Sequence, residues 1–274
     1  MPQRPELSVI VPIYNEEGLL WESAESLAGE LDRLVGARNW QFVLIDNGSA
    51  DESPTIVKRI AARWPGAVTL RLPKPNYGAA LRAGLEAATG VWVYLINVDF
   101  WDAAFLAWSW QNRQDYDLIL GSKRADPTIN GQTRYRRVLS WGLNAAFALI
   151  FEFVGMDTHG IKFCNLGRLR PILQRCVMKR GQYDSEFTLR ALRAGLRVAE
   201  VPVPYADKRK NRNLMIKKIA WNLMDLFRLR QVVQAVPWTG PLNYHRWSRA
   251  DVEAAAGGAE VASRIVTIKA GPGD

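Results

Sequence analysis

Apolar runs that end in acidic or amide residues recur along the first half of the chain, and helical patterns lie between them. Leu7-Ser8-Val9-Ile10-Val11-Pro12-Ile13 leads into Tyr14-Asn15-Glu16-Glu17. Phe42-Val43-Leu44-Ile45 leads into Asp46-Asn47-Gly48-Ser49-Ala50-Asp51, and Val91-Trp92-Val93-Tyr94-Leu95-Ile96 into Asn97-Val98-Asp99. Short, nearly continuous apolar runs suit strands buried on both faces, as in a parallel sheet. Helical periodicity covers Leu19–Leu34, Ser53–Trp64 and Tyr77–Ala88, with short strands expected at Val68–Leu72 and Leu118–Leu120. This alternation predicts an α/β fold with a doubly wound, mostly parallel sheet flanked by helices. Ligands of open parallel sheets sit beyond the carboxyl ends of the strands. Three polar clusters at three such ends therefore mark a candidate site.

The second half is less regular. Glu186–Arg193 reads as a helix with Gly195 as its C-terminal cap, and Val198–Val203 as a strand closed by Pro202 and Pro204. Leu214–Val232 predicts an amphipathic helix, with Ile216, Ile219, Leu223, Leu226 and Phe227 on one side and Lys217, Lys218, Asp225 and Arg228 opposite. Val138–Gly155 is apolar apart from Glu152 and follows Arg134, Arg136 and Arg137. Its length is at the lower limit for a membrane span, and Ser140, Gly142 and Asn144 interrupt it, so a buried or interface-lying helical pair is the expectation. Beyond Pro237 the chain reads as irregular, with Arg264–Ala270 a late strand or a loose tail.

Composition narrows this picture in three ways. At 274 residues the chain can bury the core of one large α/β domain. A net charge of +9 implies an anionic partner such as phosphates, a nucleotide or a membrane surface; no recognised binding motif accompanies the charge, so nucleic acid is not expected. Eleven Trp suit a membrane interface, a core or sugar stacking. Cys164 and Cys176 follow no disulfide or metal spacing, and Met1–Glu6 is polar, so a reduced, cytoplasmic setting without a signal peptide is expected.

Several motifs in order resemble the family 2 glycosyltransferases of GT-A fold, and within them the polyprenyl-phosphate sugar transferases of the dolichol-phosphate mannose synthase group. The resemblance runs from Leu7 to Arg230. Pro12-Ile13-Tyr14-Asn15-Glu16 is similar to the family's opening motif, where Pro12, Tyr14 and Glu16 would line the nucleoside pocket. Asp46-Asn47-Gly48-Ser49 is similar to its Asp-Asp-Gly-Ser run, with Asn47 at the second acidic position. Asp46 would then accept a hydrogen bond from the base. Gly78, in Asn76-Tyr77-Gly78-Ala79-Ala80, matches a small-residue helix start that admits the nucleotide. Asn97-Val98-Asp99 stands where the family has the metal-binding Asp-x-Asp, which implies Mg²⁺ or Mn²⁺ with Asp99 as main ligand, Asn97 as a weaker one and Asp102 as a candidate substitute.

Further on, Gly121-Ser122-Lys123-Arg124, and Arg136 with Ser140, resemble basic segments that meet phosphate in the family. Asp157-Thr158-His159-Gly160-Ile161-Lys162 resembles its Asp-Thr-Gln-x-Gly-x-Lys motif, with His for Gln and one residue fewer. His159 would hydrogen-bond a sugar hydroxyl or simply be a satisfied histidine, and His245 is given no role. Tyr183-Asp184-Ser185-Glu186 resembles the acidic helix start beside the acceptor, which makes Asp184 and Glu186 the base candidates if the acceptor is a hydroxyl. Lys208-Arg209-Lys210-Asn211-Arg212 lies where Lys208 and Arg212 would meet lipid phosphate and pyrophosphate. Each segment also has a structural alternative as a cap, a turn or a solvated face.

The resemblance implies a catalytic domain over 1–210, with 134–156 as interface or acceptor helices, then an amphipathic helix over 211–236 and an irregular tail over 237–274. The implied reaction is transfer of a sugar from a nucleotide diphosphate sugar to polyprenyl phosphate by an enzyme peripheral to the cytosolic membrane face. Two alternatives remain open: a family 2 transferase acting on a hydroxyl, and an inactive nucleotide-sugar-binding scaffold suggested by Asn47 and Asn97.

Overall fold

The computed structural model describes residues 4–123, 158–179, 182–204, 227–234 and 242–255. Its first half alternates β1 (Leu7–Ile13), α1 (Leu20–Leu34), β2 (Trp40–Asp46), α2 (Ser53–Arg63), β3 (Val68–Arg71), α3 (Tyr77–Ala87), β4 (Trp92–Leu95), α4 (Ala103–Gln111) and β5 (Leu118–Ser122). There follow β6 (Lys162–Asn165), α5 (Leu166–Leu173), α6 (Tyr183–Arg193), β7 (Val198–Pro202), α7 (227–234), β8 (Tyr244–Arg246) and α8 (Arg249–Ala255). The strands form one sheet in the order β3-β2-β1-β4-β6-β5-β7-β8. Only β6 runs against its neighbours, pairing antiparallel with both β4 and β5.

Alternation along each strand sends side chains to two cores. Val9, Val11 and Ile13 join the buried stripe of α1 (Leu20, Ala24, Leu27, Leu31) together with Val57 and Ile60 of α2. Ile10 and Val43 face the opposite way, onto Ala80, Leu81 and Leu85 of α3 and onto Leu169 and Phe187 of α5 and α6. Helices thus cover both faces, as the sequence pattern predicts. Both cysteines are buried and unlinked. Among the described residues no helix is long and apolar enough to cross a membrane.

Four differences from the sequence reading have physical causes. Helix α4 buries Phe105, Leu106, Trp108 and Trp110 and is apolar on nearly every side, so it carries no helical stripe to detect. Helix α6 begins at Tyr183, ahead of the expected Glu186, because Tyr183 and Asp184 are themselves buried against the domain. Strand β6 is short, begins on the last residue of the Asp157–Lys162 motif and continues into residues that were given no element. Finally, part of the tail expected to be irregular is ordered: β8 pairs in parallel with β7 and α8 follows it. Of the expected Leu214–Val232 helix, the described part is α7, whose Leu229 and Val233 pack on Met178 and Leu189. The Val138–Gly155 run and Arg264–Ala270 lie outside the described residues.

Candidate active site

The loops after β1 and β2 are stitched together by short polar side chains. Asn15 adopts a left-handed backbone (φ 53°), which asparagine tolerates better than most residues. Its N–H donates to Ser49 Oγ (3.1 Å), and its Oδ1 accepts from Ala50 N–H (2.9 Å). Glu16 N–H donates to Ser53 Oγ (2.8 Å) and Glu17 N–H to Asp51 Oδ2 (3.1 Å). A cleft lined by Asn15, Glu16, Glu17, Gly18, Leu19, Ala50 and Asp51 opens beside this seam, and Tyr14 next to it is 48% exposed.

Asp46 closes β2 and is buried. Its Oδ1 accepts the Ser49 N–H (2.9 Å). Its buried Oδ2 receives no hydrogen bond: Arg71 Nε stands 3.1 Å away, but out of line for one. A buried carboxylate oxygen without a donor is costly unless a ligand supplies one. Asn47 is a clamp. Its N–H donates to Ile13 carbonyl (2.7 Å) and its Oδ1 accepts from Asn76 N–H (2.7 Å), which binds the start of α3 to the end of β2. Asn76 in turn caps α3 through Ala79 N–H (3.2 Å), and Gly78 is buried in the first turn.

Beyond β4 the chain makes a tight turn, with Asn97 and Phe100 exchanging both backbone hydrogen bonds (3.2 and 3.1 Å). Val98 turns its side chain into the core, and its carbonyl accepts from Ser23 Oγ (2.9 Å), so α1 fixes the turn. Asn97 and Asp99 are half-buried on it. Asp102, the candidate substitute ligand, is instead the buried N-cap of α4, accepting from Phe105 N–H (2.6 Å). Burial pushes its carboxyl above the usual range despite the N–H groups of Phe105 and Ala104.

The start of α6 supplies the other wall, packed against α3. Asp184 Oδ1 lies 2.7 Å from Lys162 Nζ, with side chains 3% and 1% exposed, and Lys162 also donates to Gly160 carbonyl (2.8 Å). Glu186 is fully buried. It accepts from Val177 N–H (2.9 Å) and Met178 N–H (2.7 Å) and pairs with Arg190 (2.8 Å), fastening the chain between α5 and α6. Tyr77 links the two walls: burial first, then the charges of Asp184 and Asp99, push its phenol well above its ordinary value.

The structure therefore brings together Tyr14, Glu16, Asp46, Asn47, Gly78, Asn97 and Asp99 at the strand ends, with Asp184 close by. Pro12 lies buried within β1, and Pro12 and Val98 shape the strand ends rather than offer polar groups. Arg124, Arg136, Lys208 and Arg212 lie outside the described residues. The Ser23, Ser49 and Ser53 stitches and the pairing of Lys162 with Asp184 were not foreseen. Serines near the starts of α1 and α2 were the sequence signal for the stitches; the Lys162–Asp184 pairing had none.

Residues 8–162 match the glycosyl transferase family 2 profile, more than half of the chain. A dolichyl-phosphate β-glucosyltransferase of Trichomonas vaginalis is 26% identical over 75% of this chain and 67% of its own length. An undecaprenyl-phosphate 4-deoxy-4-formamido-L-arabinose transferase of Aeromonas hydrophila is 35% identical over 63% of this chain and 50% of its own length. Among solved structures, glucosyl-3-phosphoglycerate synthase from Mycobacterium tuberculosis, bound to Mn²⁺, UDP-glucose and phosphoglyceric acid, shares the fold. It superposes with a TM-score of 0.60 at 19% identity, covering 86% of this chain and 82% of that one. With this match over more than half of its length and a mostly parallel sheet flanked by helices, the chain belongs to glycosyl transferase family 2 and is a nucleotide-sugar glycosyltransferase of GT-A fold.

Proposed function

We propose that the enzyme transfers a hexose from GDP-mannose or a UDP-hexose to a polyprenyl phosphate, working peripherally at the cytosolic membrane face. The observation that carries the acceptor choice is the state of the two acidic side chains at the start of α6. Glu186 spends its oxygens on two backbone N–H groups and Arg190. Asp184 is likewise engaged, its Oδ1 2.7 Å from the buried Lys162 Nζ. A hydroxyl nucleophile needs a base; a phosphate arrives already ionised. The names of the Trichomonas and Aeromonas relatives also specify polyprenyl phosphates.

On the donor side, Asp46 Oδ2, which faces Arg71 but accepts no hydrogen bond, suits a ring N–H of uracil or guanine, and Tyr14, Glu16 and the Asn47–Asn76 clamp frame the nucleoside. Pro12, Gly78 and Val98 set the backbone around it. The donor set at the end of β4 fits Mg²⁺ or Mn²⁺: a carboxylate on Asp99 and an amide oxygen on Asn97, both hard ligands, completed by the diphosphate. Such an ion supplies charge neutralisation for the departing diphosphate. The phosphate oxygen attacks the anomeric carbon from the face opposite the diphosphate. As that bond forms, the glycosidic C–O bond breaks and its electron pair leaves with the diphosphate, which inverts the centre. From the sequence, Arg124 and Arg136 screen charge in this step, and Lys208 and Arg212 meet the two phosphates.

The test is incubation of purified protein with labelled GDP-mannose, UDP-glucose or UDP-N-acetylglucosamine, polyprenyl phosphate in detergent, and manganese or EDTA. Label in the organic phase from one donor, abolished by EDTA, is expected. Donor hydrolysis without lipid label would point to a hydroxyl acceptor. Donor binding with no turnover would point to a scaffold.

A further inference from the structure

Strand β3 is the outermost of the sheet and runs parallel to β2, with Arg71 in register beside Asp46 at the carboxyl ends of the two strands. The Arg71 side chain is 65% exposed and that of Asp46 3%. Arg71 Nε stands 3.1 Å from Asp46 Oδ2 but out of line for a hydrogen bond, and Arg71 donates none to any other described residue. The carboxylate itself is fixed, because Ser49 N–H holds Oδ1 at 2.9 Å and Leu72 N–H holds the Asp46 carbonyl at 2.8 Å. The loop from β3 into α3 is fixed as well, by Asn47 Oδ1 on Asn76 N–H. One rigid, buried acceptor is thus flanked by an exposed fork of unspent donors that is free to swing.

This pairing has a definite complement. An ionised carboxylate only accepts, so the ligand atom that meets Oδ2 must carry a hydrogen. A guanidinium only donates, so the ligand atom next to that N–H must be an acceptor. Uracil (N3–H beside O4) and guanine (N1–H beside O6) present this lactam order. Cytosine and adenine present its reverse, a ring nitrogen lone pair beside an amine. Either of those would set a lone pair against Oδ2 and an amine against the guanidinium, like facing like at both positions.

Resting on the reading of Asp46 as the base contact, we infer that Arg71 is a specificity-determining residue of the donor site. It swings off Asp46 Oδ2 as the base enters and donates to the base carbonyl beside the N–H that Oδ2 accepts, which selects uracil and guanine over cytosine and adenine. In the free protein the guanidinium offsets part of the cost of a buried anionic oxygen that accepts no hydrogen bond. With a lactam base bound, the ring N–H takes over that task and the guanidinium is released to the carbonyl. A plain surface ion pair is worth little and would favour no base over another.

The test is calorimetry of UDP, GDP, CDP and ADP, each with manganese, on wild type, Arg71→Met and Arg71→Lys, with thermal melts to confirm the fold. Methionine keeps an apolar stem and removes every donor; lysine restores a charged donor without the fork. Wild type should bind UDP or GDP about thirtyfold or more tighter than both CDP and ADP. Arg71→Met should weaken the preferred lactam nucleotide about tenfold, the low end for a charged hydrogen bond because the side chain is exposed. CDP and ADP should stay within about twofold, and Arg71→Lys should recover part of the loss. An unmoved lactam nucleotide in Arg71→Met overturns the inference. Equal losses on all four nucleotides overturn it too, since the cation would then be acting on the phosphates. Discrimination by wild type that survives Arg71→Met sinks Arg71 alone and leaves Asp46 as the base contact. Wild type binding UDP, GDP, CDP and ADP alike sinks the Asp46 contact and this inference with it, and wild type binding none of the four sinks the donor reading itself.

Discussion

At the end of β4 one carboxylate and one neutral amide, Asp99 and Asn97, stand where paired carboxylates would grip a divalent cation harder, and the next acid along is already spent. Asp102 is 2.6 Å from Phe105 N–H as the cap of α4, and burial raises its carboxyl further from the ionised state a ligand needs. On the proposed reading, metal dependence rides on Asp99. Asn97→Asp is expected to tighten the apparent manganese affinity by roughly tenfold, since ligand charge sets affinity at such sites. Asp99→Asn should cut kcat by about a hundredfold or more, the loss typical of removing a preorganised charge from a reacting centre. Asp102→Asn, which keeps a capping oxygen, should leave the manganese titration unchanged, whereas Asp102→Ala should cost about 1 kcal/mol of stability. Metal titrations of activity, with thermal melts alongside, separate these roles. A shifted manganese curve in Asp102→Asn would return that residue to the metal site.

At the scale of elements, the position of the site depends on one backbone feature. Gly48 has φ +76°, and a Cβ there would come within 3.1 Å of the Lys74 and Pro75 backbone. That closeness lets Asn47 reach Asn76 and lock α3 to β2. Gly48→Ala should cost about 1–2 kcal/mol from the left-handed backbone alone. Because the neighbouring atoms are backbone and cannot swing aside, it should also weaken nucleotide binding, read by calorimetry with UDP and GDP. Unchanged nucleotide affinity in a melted-down variant would mean that the clamp holds the fold but not the pocket. The strands with polar ends were legible because burial on both faces writes a continuous apolar run, and those ends coincide with the candidate donor site. Helix α4 was not legible, since Phe105, Leu106, Trp108 and Trp110 leave no polar face to set a period. Nor was the wall at the start of α6: the pairing of Lys162 with Asp184 joins residues from a strand and a helix that nothing in local sequence relates, and so do the bonds from Val177 and Met178 N–H to Glu186.

Over the whole molecule, the sheet separates chemistry from closure. The candidate site occupies the carboxyl ends of β1, β2 and β4, while the far edge is finished by a segment that sequence alone left without form. There β8 lies beside β7, and Glu200, fully buried in β7, accepts from Arg246 Nε (2.8 Å) and from the Tyr244 hydroxyl. Trp247 completes the edge, its indole N–H on Tyr116 hydroxyl (3.1 Å) and its ring against Trp108. Burial and the charge of Glu200 together push the Tyr244 phenol above its ordinary value, so it stays a donor at any physiological pH. A buried carboxylate held by a guanidinium and a phenol makes this edge a stability element. Arg246→Met should cost about 2 kcal/mol, the worth of a hydrogen bond to a buried charge, discounted because the guanidinium is 41% exposed. Adding Glu200→Gln should recover much of that loss by removing the stranded charge. Both variants should keep wild-type kcat per folded molecule, because neither residue lies at the strand ends that hold Asp46 and Asp99. Denaturant melts joined to single-donor turnover provide the check, and a double variant no more stable than Arg246→Met would mean that the guanidinium acts through packing instead of charge.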